Sequence, residues 1–200
     1  MAHSPRRWFV RLILVSALFL LSVEVWQRRR LIFDAWTFRH EPFEMTMPVE
    51  GVDVGRISST FGAPRSGGRR HKGADIFAPQ GTPVVSATRG VCQRIGWDSL
   101  GGKVVWVVGE GPAAYYYAHL DDWAPDLEVG DRIDSGQLLG YVGNTGNAHT
   151  TPPHLHFGIY RLHFFGHKAV DPVPILKSKV LALRKRALSS PLRNLFAAPS

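Results

Sequence analysis

The sequence predicts a mainly β chain: a single antiparallel β-sheet domain, with a transmembrane helix before it and a short C-terminal helix after it. Three observations carry that expectation. The middle of the chain runs in short stretches rich in Val, Ile and Tyr, which suit a pleated surface, and these are punctuated by turn formers from a total of 20 Gly and 14 Pro. A length of 200 residues with 44% hydrophobic content supplies one sizeable core but hardly two. The triplet His154-Leu155-His156 fits a strand, where residues two apart share a face, so both imidazoles meet one cleft while Leu155 turns into the core.

Taken in order, residues 1–27 read as a membrane anchor or an uncleaved signal segment. An apolar run from Leu12 to Val23 lies between Arg6, Arg7 and Arg11 on one side and Arg28, Arg29 and Arg30 on the other. At about 1.5 Å per residue, the stretch from Trp8 to Trp26 just spans a hydrocarbon core of about 30 Å. A secretory signal has the same plan, but no small-x-small cleavage site stands after Val23, which favours the uncleaved anchor. Arginines at both ends leave orientation open under the positive-inside rule. Residues 28–54 read as a linker partly packed on the domain, and a block on the site by Gln27 to Val54 is one expectation for it. Residues 55–172 form the domain, with strands expected around Arg56–Thr60, Gly73–Phe77, Pro83–Ala87, Gly90–Trp97, Lys103–Gly109, Ala114–Leu120, Gln137–Gly143 and His154–Tyr160. Residues 173–200 form a basic tail, helical from Ile175 to about Leu188, ended by Ser189-Ser190-Pro191.

The chemistry concentrates in two segments about eighty residues apart. In His71-Lys72-Gly73-Ala74-Asp75, an extended backbone puts His71 and Asp75 on one face, and Gly73 between them allows a bend or a close backbone approach. With His154 and His156 this gives four candidate ligands. Catalytic zinc usually takes three nitrogen or oxygen ligands and leaves a fourth position to water, so one histidine is left for proton chemistry. The run Tyr115-Tyr116-Tyr117-Ala118-His119-Leu120 brings a second surplus histidine, and an unbroken strand would place Tyr115, Tyr117 and His119 on one face.

In this order, the His-Lys-Gly-Ala-Asp, Tyr-Ala-His-Leu and His-Leu-His-Phe segments resemble the lysostaphin-type or LytM-like zinc endopeptidases that cut peptidoglycan peptides. The resemblance covers roughly Gly55 to Tyr160 and extends to Ser59-Thr60-Phe61-Gly62, to Ala78 through Val84, and to Gly130-Asp131 with Ser135-Gly136-Gln137. Where members of the family usually carry Gly-Pro, this chain has Pro152-Pro153. The resemblance implies a sheet domain of the LytM/lysostaphin type and one Zn2+ per chain, held by His71, Asp75 and His156. It also implies that His119 and His154 act beside the metal as base, acid or transition-state donors. Tyr117 is a candidate contact to the substrate or to a group behind the metal site, and His149 a candidate substrate contact for which solvent exposure is the favoured alternative.

The function implied is that of a metalloendopeptidase acting on peptidoglycan peptides. The competing reading is a non-catalytic or latent module that binds the cell wall and activates other wall hydrolases; the complete ligand set favours the enzyme. The expected setting is the cytoplasmic (inner) membrane, single-pass, with the domain facing the periplasm or cell wall and a regulatory protein as a further partner. A formal charge of +8 raises nucleic acid as a partner, but no helix-turn-helix, finger spacing or aromatic-and-basic β platform is present, so none is expected. The single Cys92 permits no intramolecular disulfide and reads as a small buried hydrophobe. Asp121, Asp122 and Asp126 read as a solvated loop, and no serine stands in a nucleophile elbow.

Overall fold

The computed structural model describes residues 16, 22, 45–163 and 166–189. The expected membrane segment lies outside these residues, and among the described residues no helix is long and apolar enough to cross a membrane. Nine antiparallel strands form one sheet among the described residues: β1 (Ala74–Phe77), β2 (Pro83–Val85), β3 (Gly90–Asp98), β4 (Gly102–Gly109), β5 (Ala113–Trp123), β6 (Arg132–Ile133), β7 (Leu138–Val142), β8 (His154–His163) and β9 (Gly166–Val170). The main order is β1-β8-β5-β4-β3-β6; β9 adds to β8, and β7 bridges β5 to β2.

The central strands divide their residues between two faces by parity. Tyr115, Tyr117, Leu155, Phe157 and Ile159 enter the core with Val105, Val107 and Ile76, all essentially inaccessible to solvent. The alternate residues Trp106, Tyr116, Ala118, His156 and Tyr160 face the other way, where Tyr116 and Ala118 join Val104 in a second, smaller cluster. The register puts Asp75 opposite His156 and His156 opposite Ala118, so β1, β8 and β5 carry one row of side chains across the sheet. Only glycine suits position 73, because a Cβ there would lie 2.5 Å from the Phe157 carbonyl oxygen and 2.7 Å from His156 Nε2.

Helix α1 (Pro172–Ser189) packs against β8, and its buried side chains join the main core. Asp171 caps it, its Oδ1 accepting from the Val173 N–H at 3.0 Å, and Pro172 occupies the first helical position, where a missing donor costs nothing. Val173, Leu176 and Val180, spaced three and four apart, are the buried stripe.

One expected strand is absent. Arg56–Thr60 is not a strand: Val54–Arg56 is a short 3-10 turn, capped by Asp53, whose Oδ1 accepts from the Gly55 N–H at 2.6 Å. The described part of the segment expected as a linker packs on the domain, where Met45 and Val49 are fully buried and Val49 bridges to Val84 of β2. Residues 45–54 contribute nothing to the cleft on the opposite face of the sheet. Cys92 is buried, as expected of a small apolar side chain, and burial pushes its thiol up to about 11.

Candidate functional site

A cleft of about 860 Å³ opens on the face of the sheet opposite the core, and its floor holds three groups that could bind a metal ion: His71, Asp75 and His156. His71 Nε2 lies 2.9 Å from His156 Nδ1 and 3.0 Å from Asp75 Oδ1, and His156 Nδ1 lies 3.0 Å from the same carboxylate oxygen. The triangle suits an ion that bonds nitrogen and oxygen at about 2.0–2.2 Å, and two imidazoles with one carboxylate is a donor set typical of zinc.

Each donor is aimed by a partner behind it. The His71 Nδ1–H is shared between Thr60 Oγ1 at 2.9 Å and the Thr60 carbonyl oxygen at 3.1 Å, which fixes the tautomer and turns the Nε2 lone pair inward. Asp75 Oδ2 accepts from Arg65 Nη2, leaving Oδ1 for the triangle. Burial pushes the Asp75 carboxyl up, but the His156 and His71 rings packed against it outweigh this and hold the group well below the usual carboxylate range. Burial pushes His156 down, against the opposing pull of Asp75.

His119 and His154 stand side by side next to the triangle, ring centroids 5.0 Å apart. The His119 Nδ1–H donates to the Thr145 carbonyl at 2.8 Å and the His154 Nδ1–H to the Pro152 carbonyl at 2.8 Å, so both rings keep Nε2 for the cleft. His154 Nε2 comes within 3.9 Å of Asp75 Oδ1, and Phe77 packs against the His154 ring at 5.1 Å. Burial pushes His119 down to about 4.

The five residues His71, Asp75, His119, His154 and His156 are therefore together; Tyr117 and His149 are not with them. Tyr117 is fully buried on the core side, its hydroxyl oxygen accepting from the Ala87 N–H at 2.9 Å, and its neighbour Tyr116 lines the cleft instead. His119 takes a left-handed backbone conformation, φ 64°, and the β4–β5 register shifts between Lys103 and Val105. That bulge turns His119 to the Tyr116 side, so the expected common face of Tyr115, Tyr117 and His119 does not exist. His149 is exposed and donates from Nδ1 to the Gly146 carbonyl, while Asn147, Ala148 and Thr151 of the same loop line the cleft. The orienting residues Thr60, Arg65 and Thr145 escaped sequence reasoning. Thr60 lies in the Ser59–Gly62 segment that carries part of the resemblance, but no local pattern marks Thr60, Arg65 or Thr145 as a partner of a ligand.

Three inward-facing donors around a strand pair, with two tautomer-fixed imidazoles beside them, define a candidate mononuclear metal centre on a β sheet. The model of the family described as Peptidase family M23 matches residues 69–172, just over half of the sequence, and the chain belongs to that family. It is 38% identical over 127 residues to the L-Ala--D-Glu endopeptidase of Bacillus subtilis, covering 60% of this chain and 39% of that protein. It is 38% identical over 113 residues to the glycyl-glycine endopeptidase ALE-1 of Staphylococcus capitis, covering 56% and 30%. The crystal structure of a putative glycyl-glycine endopeptidase lytM from Ruminococcus gnavus superposes with a TM-score of 0.57 at 35% identity, over 70% of this chain and 60% of that one. The chain thus spans well under half the length of the two curated relatives.

Proposed function

We propose that the chain is a zinc-dependent endopeptidase hydrolysing peptide bonds in peptidoglycan. The observation that carries this reading is the set of three donor atoms within 3.0 Å of one another, with His119 and His154 beside them. The two curated relatives are named for L-Ala–D-Glu and glycyl-glycine bonds, which supports a peptidoglycan peptide as substrate.

His71, Asp75 and His156 would hold the zinc, which when bound supplies Lewis acidity towards a peptide carbonyl and a water molecule. His119 and His154 do the proton work. Each neutral ring offers an Nε2 lone pair to the cleft, fixed there by the Nδ1–H bond to Thr145 or Pro152. One accepts the proton released as water adds to the carbonyl. The imidazolium so formed donates to the developing oxyanion or delivers its proton to the leaving amine. His119, held down by burial, enters the reaction neutral.

The proposal extends to location: the apolar run Leu12–Val23 supports a single-pass tether, and a peptidoglycan substrate calls for the domain to lie outside the cytoplasmic membrane. The decisive experiment measures zinc content and digestion of purified peptidoglycan by the full chain and by His156→Ala. One zinc per chain with release of muropeptides, both lost in the variant, is the expected result. Zinc binding without digestion would transfer the reading to a module that activates other wall hydrolases.

A further inference from the structure

Beside the metal centre the cleft has a cationic rim. The loop from Pro64 to Arg70 closes on itself as a tight hairpin: Pro64 bridges Arg70, the Arg65 N–H donates to the Arg69 carbonyl at 2.9 Å, and Gly67 and Gly68 turn the chain with positive φ. It leads straight into His71, so Arg69, Arg70 and Lys72 border the cleft within three residues of a donor of the triangle. All three side chains are exposed.

Their hydrogen bonds hold them without neutralising them. Arg69 donates from Nε to the Ser66 carbonyl and from Nη2 to Ser66 Oγ, both at 3.1 Å, and Arg70 donates from Nη1 to the Gly62 carbonyl at 3.0 Å. Those acceptors are neutral, and a guanidinium has five N–H groups, so each fork keeps donors to spare. Among the described residues neither arginine nor Lys72 pairs with a carboxylate, whereas Arg65 does, with Asp75. Apart from Asp75, the one carboxylate bordering the cleft among the described residues is Asp98, and it is already engaged by the Tyr116 hydroxyl at 2.9 Å and by the N–H groups of Leu100 and Gly101. The cleft rim therefore presents three cationic groups, none ion-paired among the described residues, against one further carboxylate, that of Asp98, which keeps its charge but is held by neutral donors.

We propose that Arg69, Arg70 and Lys72 form a carboxylate-selecting subsite, so that the preferred substrate is a peptide carrying a free carboxylate next to the scissile bond rather than an uncharged glycine bridge. Guanidinium forks match a carboxylate in two parallel hydrogen bonds, and a lysine adds a point charge. The proposal rests on the endopeptidase reading above and refines it.

The test uses the full zinc-loaded chain and three synthetic peptides of equal length: one with an L-Ala–D-Glu link and its free carboxylate, the same peptide with that carboxylate amidated, and an oligoglycine. Both hydrolysis and binding of fluorescently labelled peptide are measured. The free acid should bind about tenfold more tightly than its amide and show a similar advantage in kcat/KM, shrinking as salt rises. Arg69→Gln/Arg70→Gln and Lys72→Gln should each reduce the ratio of acid to amide, and the triple variant should bring it near one. Equal binding of acid and amide by the wild type, or a preference that survives in the triple variant, overturns the subsite. A binding preference without hydrolysis of any peptide supports the subsite and instead sinks the endopeptidase reading. The substituted side chains are exposed, and an unchanged melting temperature separates a lost subsite from a lost fold.

Discussion

On β8, Leu155, Phe157 and Ile159 enter the core, while His154, His156 and Tyr160 of the same strand face the cleft; β5 divides Tyr115 and Tyr117 from Tyr116 in the same way. The two faces share a backbone but not a logic. On the core side a residue is held by the apolar area and volume around it, so a neighbour of similar size can replace it at modest cost. On the cleft side a residue is held by single atoms arriving from loops: Thr60 behind His71, Thr145 behind His119, Pro152 behind His154. Stability should therefore be sensitive on one face and activity on the other, and adjacent positions should show it.

The largest effect is expected from His156→Ala, which should lower peptidoglycan hydrolysis by about a thousandfold or more while leaving the metal-free melting temperature nearly unchanged. The next residue reverses the pattern. Phe157→Ala should cost about 3–5 kcal/mol in denaturant titrations of the metal-free protein. A loss of stability in His156→Ala as large as that in Phe157→Ala would break the comparison.

The core side also contains a titratable group, Cys92, whose thiol burial pushes up to about 11 from 9.0. Between these values the unfolded chain has released the proton that the folded chain retains, so stability falls as pH rises from 9 towards 11. The Cys92 share of that drop is about 2 kcal/mol, added to a fall from the buried tyrosines Tyr115, Tyr116 and Tyr117, and it is read as the difference between the alkaline denaturation curves of the wild type and Cys92→Ala. The smallest effect belongs to the cleft. Tyr116→Phe removes the hydroxyl bonded to Asp98 and should cost about 1 kcal/mol, with KM for peptide changing more than kcat. A larger loss of stability there than in Phe157→Ala would mean that the cleft face supports the fold after all.

Whatever depends on short-range periodicity was legible in the sequence. The His154-Leu155-His156 alternation needs only an unbroken strand, and β8 provides one. The same rule failed on the neighbouring strand, at His119, because the bulge in β5 is set by its pairing with β4 and Lys103 shows nothing of this in its local sequence. Strands β6 and β9 were missed for a related reason. Arg132–Ile133 is only two residues long, and the β9 sequence GHKAV carries little apolar alternation, so each exists by virtue of the strand beside it. The expected Arg56–Thr60 strand lost to turn chemistry at Asp53. Likewise, the bond from Arg65 to Asp75 spans a hairpin whose closure no local pattern announces.

The pairing of Asp75 with His156 joins residues 81 positions apart in the chain. An unfolded chain holds these groups together only at the entropic cost of closing that loop, so an ion requiring both binds the native form almost exclusively. Free zinc would then act as a thermodynamic lever on the whole domain, raising its unfolding free energy by RT times the logarithm of one plus the ratio of free zinc to the dissociation constant. The concentration of the metal around the protein, as much as its own packing, would set how long the folded state persists.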